Sequence, residues 1–343
     1  MIVLGIESTC DETAAAIVEG GNIVRGNVVA SQVSLHARYH GVVPEIASRA
    51  HIENILPVIS ECLSRAKTAL AEVDAIAVAQ RPGLIGSLLI GVTAAKTLAW
   101  SLNKPLIAVD HVHAHLYSVN LDVARHKKIS MPAVGLVCSG GHTALYQMRD
   151  WLDLELVGTT LDDAVGEAYD KAAAILGLGY PGGPRIDALA SAGNPKSVKF
   201  PRSLLGRDSL DFSFSGLKTA VLYHVRGFKG RQRDAKKLTP DQLSDVCAAF
   251  QAACVDVLVE KIRRAARRYS AKSVIVGGGV SANSGLRAAL AKFDLPVYFP
   301  PYEYCTDNAA MIAALGQKLL AAGQTSGLDL DAITHSQFAD SPR

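Results

Sequence analysis

VLGIESTCDETAAAIVEGGNIVRGNVV (Val3–Val29) and VGLVCSGGHTALYQMRDWLDLELVGTT (Val134–Thr160) carry the same order of chemistry. Each opens with an apolar run, passes through a polar loop, returns in a second apolar run, turns, and ends in a third. Few residues are identical, so the shared pattern carries the reading: a strand–loop–hairpin unit heads each half of the chain, as in an internal duplication. Further apolar runs at Ala75–Ala79, Leu106–Val109 and Ser273–Val276 read as strands. Helical patterns fall at Pro44–Ala69, Ile85–Leu102, Asp163–Leu176, Thr239–Tyr269 and Ala309–Ala322. Strands alternating with helices predict an α/β fold with largely parallel sheets. We place a first lobe at residues 1–132, completed by about 300–335, a second lobe at 133–299, and a tail at 336–343. Polar loops after the first strand of each lobe predict a ligand cleft between the lobes.

A chain of 343 residues suits two domains, and with 49% apolar and only 20% charged residues it is not a disordered one. The net charge of +3 is too small to identify a partner. Six scattered cysteines with no C-x-x-C pair read as free thiols in a reducing compartment. MIVLGIESTCDET enters a strand with no basic leader, so no signal or transit peptide is expected. The longest apolar stretch, Leu84–Leu102, contains Lys96 among several hydroxyls and reads as a core helix, not a membrane span. The expectation is a soluble, cytoplasmic protein.

Asp110-His111-Val112-His113-Ala114-His115 holds three of the ten histidines. On a helix His111 and His115 share a face and reach a common ion, while His113 points elsewhere; on a strand all three share a face. Two neutral imidazoles suit iron, zinc, nickel or copper better than magnesium. A polar surface turn has the same pattern. The H-E-x-x-H protease signature is absent because Val112 follows His111. A third ligand has to come from elsewhere, and in Cys305-Thr306-Asp307-Asn308-Ala309 the spacing favours Asp307 as a helix N-cap over a ligand.

Glu7-Ser8-Thr9-Cys10-Asp11-Glu12-Thr13 crowds three carboxylates against hydroxyls after a strand, which suits a metal, a reacting group or a solvated hairpin entrance. Ser139-Gly140-Gly141-His142-Thr143 offers amides and hydroxyls to an oxyanion or phosphate. Gly277-Gly278-Gly279, leading to Asn283, is a second phosphate-type loop or a plain turn. Asp162-Asp163, with Glu167 and Asp170, reads as a helix start, and Gly182-Gly183-Pro184 as an ordinary turn. Two basic groups, Arg226–Lys237 and Arg263, Arg264, Arg267 and Arg268, fit phosphate contact or a solvated face.

Taken in order, GIESTCDET, SQVSLHARYHGVVPEIASRAH, RPGLIGSLLIGV, HVHAH, VCSGGHTAL, TLDDAVGEAYDKAAAILGLGYPGGP, DFSFSGLKTAV, GGGVSANSGLR and CTDNAAMIA resemble the motifs of the TsaD/Kae-type tRNA threonylcarbamoyladenosine synthases, once called glycoproteases. The resemblance runs from Val3 to about residue 330. It implies a duplicated, two-lobed actin-like ATPase (ASKHA) fold. The implied activity is transfer of threonylcarbamoyl from threonylcarbamoyl-AMP to N6 of the adenosine 3′ of the anticodon, in tRNAs reading codons that begin with A. The family's metal ligands fall on His111, His115 and Asp307, which reverses the cap reading of Asp307. The implied ion is one divalent metal, iron(II) ahead of zinc. Nucleotide and acyl contacts fall on Val137, Cys138, Ser139, Gly140, Gly141, Asp170, Gly183, Asp187 and Asn283, and the acidic catalytic loop on Asp11 and Glu12. Implied partners are an inactive TsaB-type paralogue and a small TsaE-type ATPase, with no membrane.

The chain departs from its bacterial relatives at His113, where many carry an acid, and at His40, where GGVVPE is usual. A spare imidazole at 113 would add a ligand or alter metal choice. The rival readings are a metalloprotease, disfavoured by Val112; a kinase or ATPase of the same superfold, expected to hold magnesium on carboxylates; and a scaffold paralogue, expected to lack the metal ligands.

Overall fold

The structure, a computed structural model, describes residues 1–39, 41–122, 129–206, 208–227, 238–336 and 338. The chain divides into two compact units, Met1–Ile129 with Pro300–Arg343, and Ser130–Phe299.

The first unit runs through β1 (Ile2–Glu7), β2 (Glu12–Glu19), β3 (Ile23–Ser31), α1 (Val33–His36), α2 (Pro44–Ala66), β4 (Ala75–Arg81), α3 (Ile85–Leu102), β5 (Leu106–Asp110) and α4 (His111–Tyr117). The second holds β6 (Ala133–Cys138), β7 (Thr143–Asp150), β8 (Asp153–Thr159), α5 (Val165–Leu176), α6 (Gly182–Ala190), α7 (Ser215–Arg226), α8 (Pro240–Arg268), β9 (Ser273–Gly277), α9 (Ser284–Leu290) and β10 (Val297–Tyr298). The chain then closes the first unit with α10 (Ala309–Ala321).

The repeat seen in the sequence is a repeat of topology. One sheet has the order β3-β2-β1-β4-β5, and the other β8-β7-β6-β9-β10. In each, three antiparallel strands are followed by parallel neighbours, β4 and β5 or β9 and β10. The central strands β1 and β6 read as continuous apolar runs because both of their faces are covered; every residue of β6 is buried. Edge strand β3 alternates in exposure.

Helices form where an apolar stripe meets a start signal. In α3, Leu88, Val92, Ala95 and Ala99 recur at helical spacing and pack into the first unit's core with Ile55, Ile59 and Cys62 of α2. Thr239 opens α8 with a capping box to Gln242 and Pro240 in the first turn, and Phe250, Cys254, Leu258 and Ile262 pack into the second core. By length and composition α3 and α8 could each cross a membrane, but these are the faces they bury.

One local expectation is corrected, and the helix start expected at Asp163 falls two residues later, at Val165, with Glu167 in its first turn. Gly182-Gly183-Pro184 is the first turn of α6, not a free turn, since Pro at the third position lacks only an N–H that has no intrahelical partner there. Asp162 and Asp163 precede α5, whose N-cap is Ala164, and serve other partners: Asp162 accepts from Ser213, Phe214 and Ser215, while Asp163 pairs with Lys171 and Lys218.

Candidate metal and nucleotide sites

In the first unit, the parallel strands β1, β4 and β5 all end toward one edge of the sheet, where open α/β sheets bind ligands. β5 runs directly into α4, whose N-cap is Asp110, accepting from the N–H groups of Val112 and His113. The His111–His115 segment is therefore helical. His111 and His115 lie on one face, their rings 4.6 Å apart and edge-on. His113 is also buried, but its ring packs against Phe338 and is outside the cluster formed by the other two.

Asp307 completes that cluster. Its Oδ1 lies 3.1 Å from His115 Nε2 and 3.5 Å from His111 Nε2, and one ligand atom from each of the three residues falls within 4.8 Å of the others. The cap of α10 is Asn308, whose side chain accepts from Met311 N. The spacing-based reading of Asp307 as the cap is thereby corrected: its neighbour Asn308 caps the helix, and Asp307 is turned toward the histidines. Burial works against ionised Asp307, but the His111 charge and hydrogen bonds from both imidazoles hold its carboxyl well below the usual carboxylate range.

Two imidazoles and a carboxylate form a donor set for a divalent transition metal or zinc. The surroundings fit an ion. The buried carboxylate of Glu7 lies 2.8 Å from His111 Nδ1 and Thr9 Oγ1 lies 3.3 Å from it, which turns Nε2 toward Asp307. A carboxylate behind a histidine ligand is the usual outer support of a metal site. His115 Nδ1 is buried and has no hydrogen-bond partner among the described residues. Glu7 was visible in the sequence only as one acid of a crowded loop.

The same loop carries Asp11 and Glu12. Burial raises both carboxyls: Asp11 is raised further by the Asp307 charge, and Glu12, beside Asp11, is pushed up to about 8. Glu12 Oε1 accepts from Ser31 Oγ at 2.9 Å, while its Oε2 is buried without a partner among the described residues. Fully buried His51 of α2 braces the loop, with Nε2 3.0 Å from the Cys10 carbonyl and Nδ1 2.8 Å from Thr13 Oγ1. No local pattern marks that brace, because His51 lies inside a long helix, 38 residues from Thr13.

In the second unit, β6 and β9 are parallel and adjacent, so Val137–Gly141 and the loop to Asn283 leave the sheet side by side. Val137 and Cys138 are buried in β6, and Cys138 Sγ contacts the Gly277 carbonyl. Ser139 closes a turn with His142 through its own N–H and by accepting on Oγ from His142 N. Space next to Gly140, Gly141 and Gly183 is open: a Cβ at any of them would meet nothing within 4 Å. Asp170 accepts from Gly182 N at 2.7 Å and so holds the start of α6 against α5. Asp187 of α6 accepts from Ser284 N at 3.0 Å and Ser284 Oγ at 2.7 Å, beside Asn283, the N-cap of α9. The candidate residues thus fall into Val137–Gly141 beside the Asn283 loop, Asp170 with α6, and Asp187 with Asn283.

The helical basic group is largely committed within the protein. Arg264 donates to the carbonyls of Leu204, Gly206 and Ser209, Arg268 to that of Asp208, and Arg263 pairs with Glu260 and lies over Phe293. Of the other group only Arg226 and Gly227 are described; the basic residues from 229 to 237 lie outside the described residues, as does His40.

Comparison with known proteins agrees on fold and family. Component A of the (R)-2-hydroxyglutaryl-CoA dehydratase of Acidaminococcus fermentans superposes with a TM-score of 0.53 at 14% identity, over 94% of this chain and 99% of that one. HypF of T. kodakarensis gives 0.57 at 14% identity, over 94% of this chain and 48% of its own. At such identities the likeness speaks for the fold alone, an actin-like ATPase fold. Sequence relatives are far nearer. A Moorella thermoacetica protein named tRNA N6-adenosine threonylcarbamoyltransferase is 49% identical over 335 residues, 96% of this chain and 95% of its own. A Rhodopirellula baltica protein of the same name is 52% identical over 344 residues, with the same coverage. The family profile described as TsaD, tRNA N6-adenosine threonylcarbamoyltransferase, matches residues 23–314, and the chain belongs to that family.

Proposed function

We propose that this chain transfers a threonylcarbamoyl group from threonylcarbamoyl-AMP to N6 of the adenosine 3′ of the anticodon in tRNAs reading codons that begin with A. The observation that carries the proposal is the His111–His115–Asp307 cluster in a chain whose relatives, matched over nearly their whole length, are named tRNA N6-adenosine threonylcarbamoyltransferase. In the reaction N6 forms a C–N bond to the carbamoyl carbon, the C–O bond to the AMP phosphate breaks, and N6 loses a proton. AMP is a good leaving group, so the demand on the protein is to position a weak amine nucleophile.

We assign each residue a part. His111, His115 and Asp307 hold one divalent metal, iron(II) ahead of zinc, which when bound supplies Lewis-acid polarisation of an oxygen ligand. Glu7 orients His111 from behind. Glu12 takes the proton from N6, directly or through water; its carboxyl, pushed up to about 8 by burial and by Asp11, is matched to that task near neutral pH. Asp11 sustains that shift by its charge. Val137, Cys138, Ser139, Gly140, Gly141, Asp170, Gly183, Asp187 and Asn283 of the second unit take the AMP part of the donor, a role supported by the open space at three of the glycines.

The partners we propose are tRNA, an inactive TsaB-type paralogue and a small TsaE-type ATPase, in the cytoplasm. A protein partner is supported by the exposed apolar side chains of α2 and α3, Ile52 and Leu56 on one and Ile85 and Leu89 on the other.

The test is an incubation with labelled threonine, bicarbonate, ATP, tRNA and a donor-synthesising enzyme. Label should enter tRNA only with this chain present, and on the adenosine next to the anticodon. Formation of the donor with no transfer of label to tRNA, helper proteins included, would overturn the assignment.

A further inference from the structure

Asp187 and Asn283 lie on different elements, α6 and the loop before α9, yet one side chain joins them. Gln251 Nε2 donates to Asp187 Oδ1 at 2.9 Å, and Asn283 Nδ2 donates to Gln251 Oε1 at 2.8 Å. The polarity of this chain is fixed from both ends. A carboxylate only accepts, so the amide nitrogen of Gln251 has to face Asp187 and its oxygen has to face away. Asn283 is oriented independently, because its Oδ1 accepts from Leu286 N at 2.9 Å as the cap of α9. Neither amide can flip without breaking a hydrogen bond at each end.

The surroundings leave Gln251 little freedom. It sits inside α8 with Ala248, Ala249, Phe250, Ala253 and Cys254 buried around it, and it is 7% exposed itself. Gly285 makes the close approach possible: a Cβ there would lie 2.8 Å from Gln251 Nε2 and 3.3 Å from Asn283 Oδ1. A glutamine otherwise free to sample many rotamers has lost that freedom on folding, so a ligand meeting Asp187 and Asn283 does not have to order them.

We infer that Gln251 is a positioning residue which locks Asp187 and Asn283 into one preorganised pair, and that affinity for the nucleotide depends on it. The inference rests on the reading of Asp187 and Asn283 as nucleotide contacts. It explains why turns far apart in sequence act together, and it gives a role to a buried polar side chain on a core helix.

The experiment is calorimetric titration of the full, metal-loaded chain with AMP, with metal content and Tm measured on the same preparations. Gln251→Ala should weaken AMP binding about tenfold, equivalent to roughly 1.4 kcal/mol, with metal content unchanged. Gln251→Glu keeps the shape but sets a second carboxylate against Asp187. Its deficit relative to wild type should shrink as the pH falls from about 8 to about 5.5, because a protonated carboxyl can again donate to Asp187. A role in stability alone would leave that ratio flat. Gly285→Ala perturbs the same contact from its other side, should weaken AMP binding too, and keeps the test decisive if Gln251→Ala does not fold. Asp187→Ala tells the two levels apart. Normal AMP binding by Asp187→Ala would overturn the nucleotide reading and this inference with it. Loss of binding there, with wild-type affinity in folded Gln251→Glu and Gly285→Ala, would overturn the inference alone.

Discussion

Glu7 Oε2 lies 2.8 Å from His111 Nδ1, with both side chains buried, so one carboxylate fixes the ring whose other nitrogen faces Asp307. Glu7 is the last residue of β1 and His111 the first of α4, so a strand end and a helix start fix the ring together. Glu7→Gln should therefore weaken metal affinity by about 10-fold and Glu7→Ala by up to about 100-fold, without removing any ligand. Competition with a chromophoric chelator measures it. Unchanged affinity in both variants would mean that the carboxylate is only a buried acid beside a histidine.

The ligands themselves should behave differently from their neighbour. His111→Ala and His115→Ala should each abolish bound metal and transfer while the chain stays folded. His113→Ala should keep the metal, because the His113 ring packs on Phe338 and lies outside the three-residue ligand cluster. Its cost should appear in stability, about 0.5–1.5 kcal/mol for the lost ring contact plus the cavity left behind. Elemental analysis beside thermal melts separates the two outcomes, and metal loss in His113→Ala would restore it as a ligand.

What the sequence could and could not say follows from the range of each interaction. The strands at Ala133–Cys138 and Leu106–Asp110 and the helix at Ile85–Leu102 are written in contiguous apolar periodicity, and they were legible to within a residue or two. The histidine spacing at His111–His115 fits a helix or a strand, and the Asp110 cap decides for the helix. Spacing favours Asp307 as the cap of α10, yet Asn308 takes that place, because capping is chosen by backbone direction, which neighbouring residues do not encode separately. The contacts of Glu7, His51 and Gln251 have no local signature, because their partners lie 104, 38 and 64 residues away, at His111, Thr13 and Asp187. Only folding makes them neighbours.

The nucleotide residues should divide in their effect on stability. Asn283 caps α9, so Asn283→Ala should cost about 0.5–2 kcal/mol of stability as well as AMP affinity. Asn283→Ser keeps a capping oxygen and should lose mainly AMP affinity. Gly183→Val meets no protein atom within 4 Å of its Cβ, so its Tm should stay near wild type while AMP binding falls. Normal AMP binding by Gly183→Val would show that no ligand approaches that backbone.

Glu12 is expected to trade stability for activity. Its folded carboxyl sits at about 8, above its ordinary 4.5, so between those values the folded chain holds a proton that the unfolded chain has released. Stability from this group is present below about 4.5 and is lost as the pH rises through about 8. Glu12→Gln, which cannot ionise, should therefore raise Tm relative to wild type at pH 8.5–9 and lose about 10²–10⁴-fold in transfer rate. A variant with normal transfer would remove Glu12 from proton transfer, whatever its melting temperature.

The two basic groups should separate by salt dependence. Arg264 gives its Nη1 to the carbonyls of Leu204, Gly206 and Ser209, Arg268 gives Nη2 to that of Asp208, and buried Lys261 donates to Leu204 and Ser209 beside them. Side chains engaged with a loop of their own unit release few counterions when tRNA binds. Arg264→Ala and Arg268→Ala should therefore lower Tm, at about 0.5–1.5 kcal/mol per lost hydrogen bond, and leave the slope of log affinity against log salt unchanged. Neutralising Lys229, Arg231, Arg233 and Lys236 should do the reverse if they contact phosphates: the slope should fall by about 0.7–0.9 per contact removed, with Tm, metal content and AMP affinity preserved. Filter binding of tRNA across a salt series reads both sets. A slope that falls for the α8 arginines and holds for the 229–237 group would move the tRNA contact onto α8, at the expense of the loop that those arginines now hold.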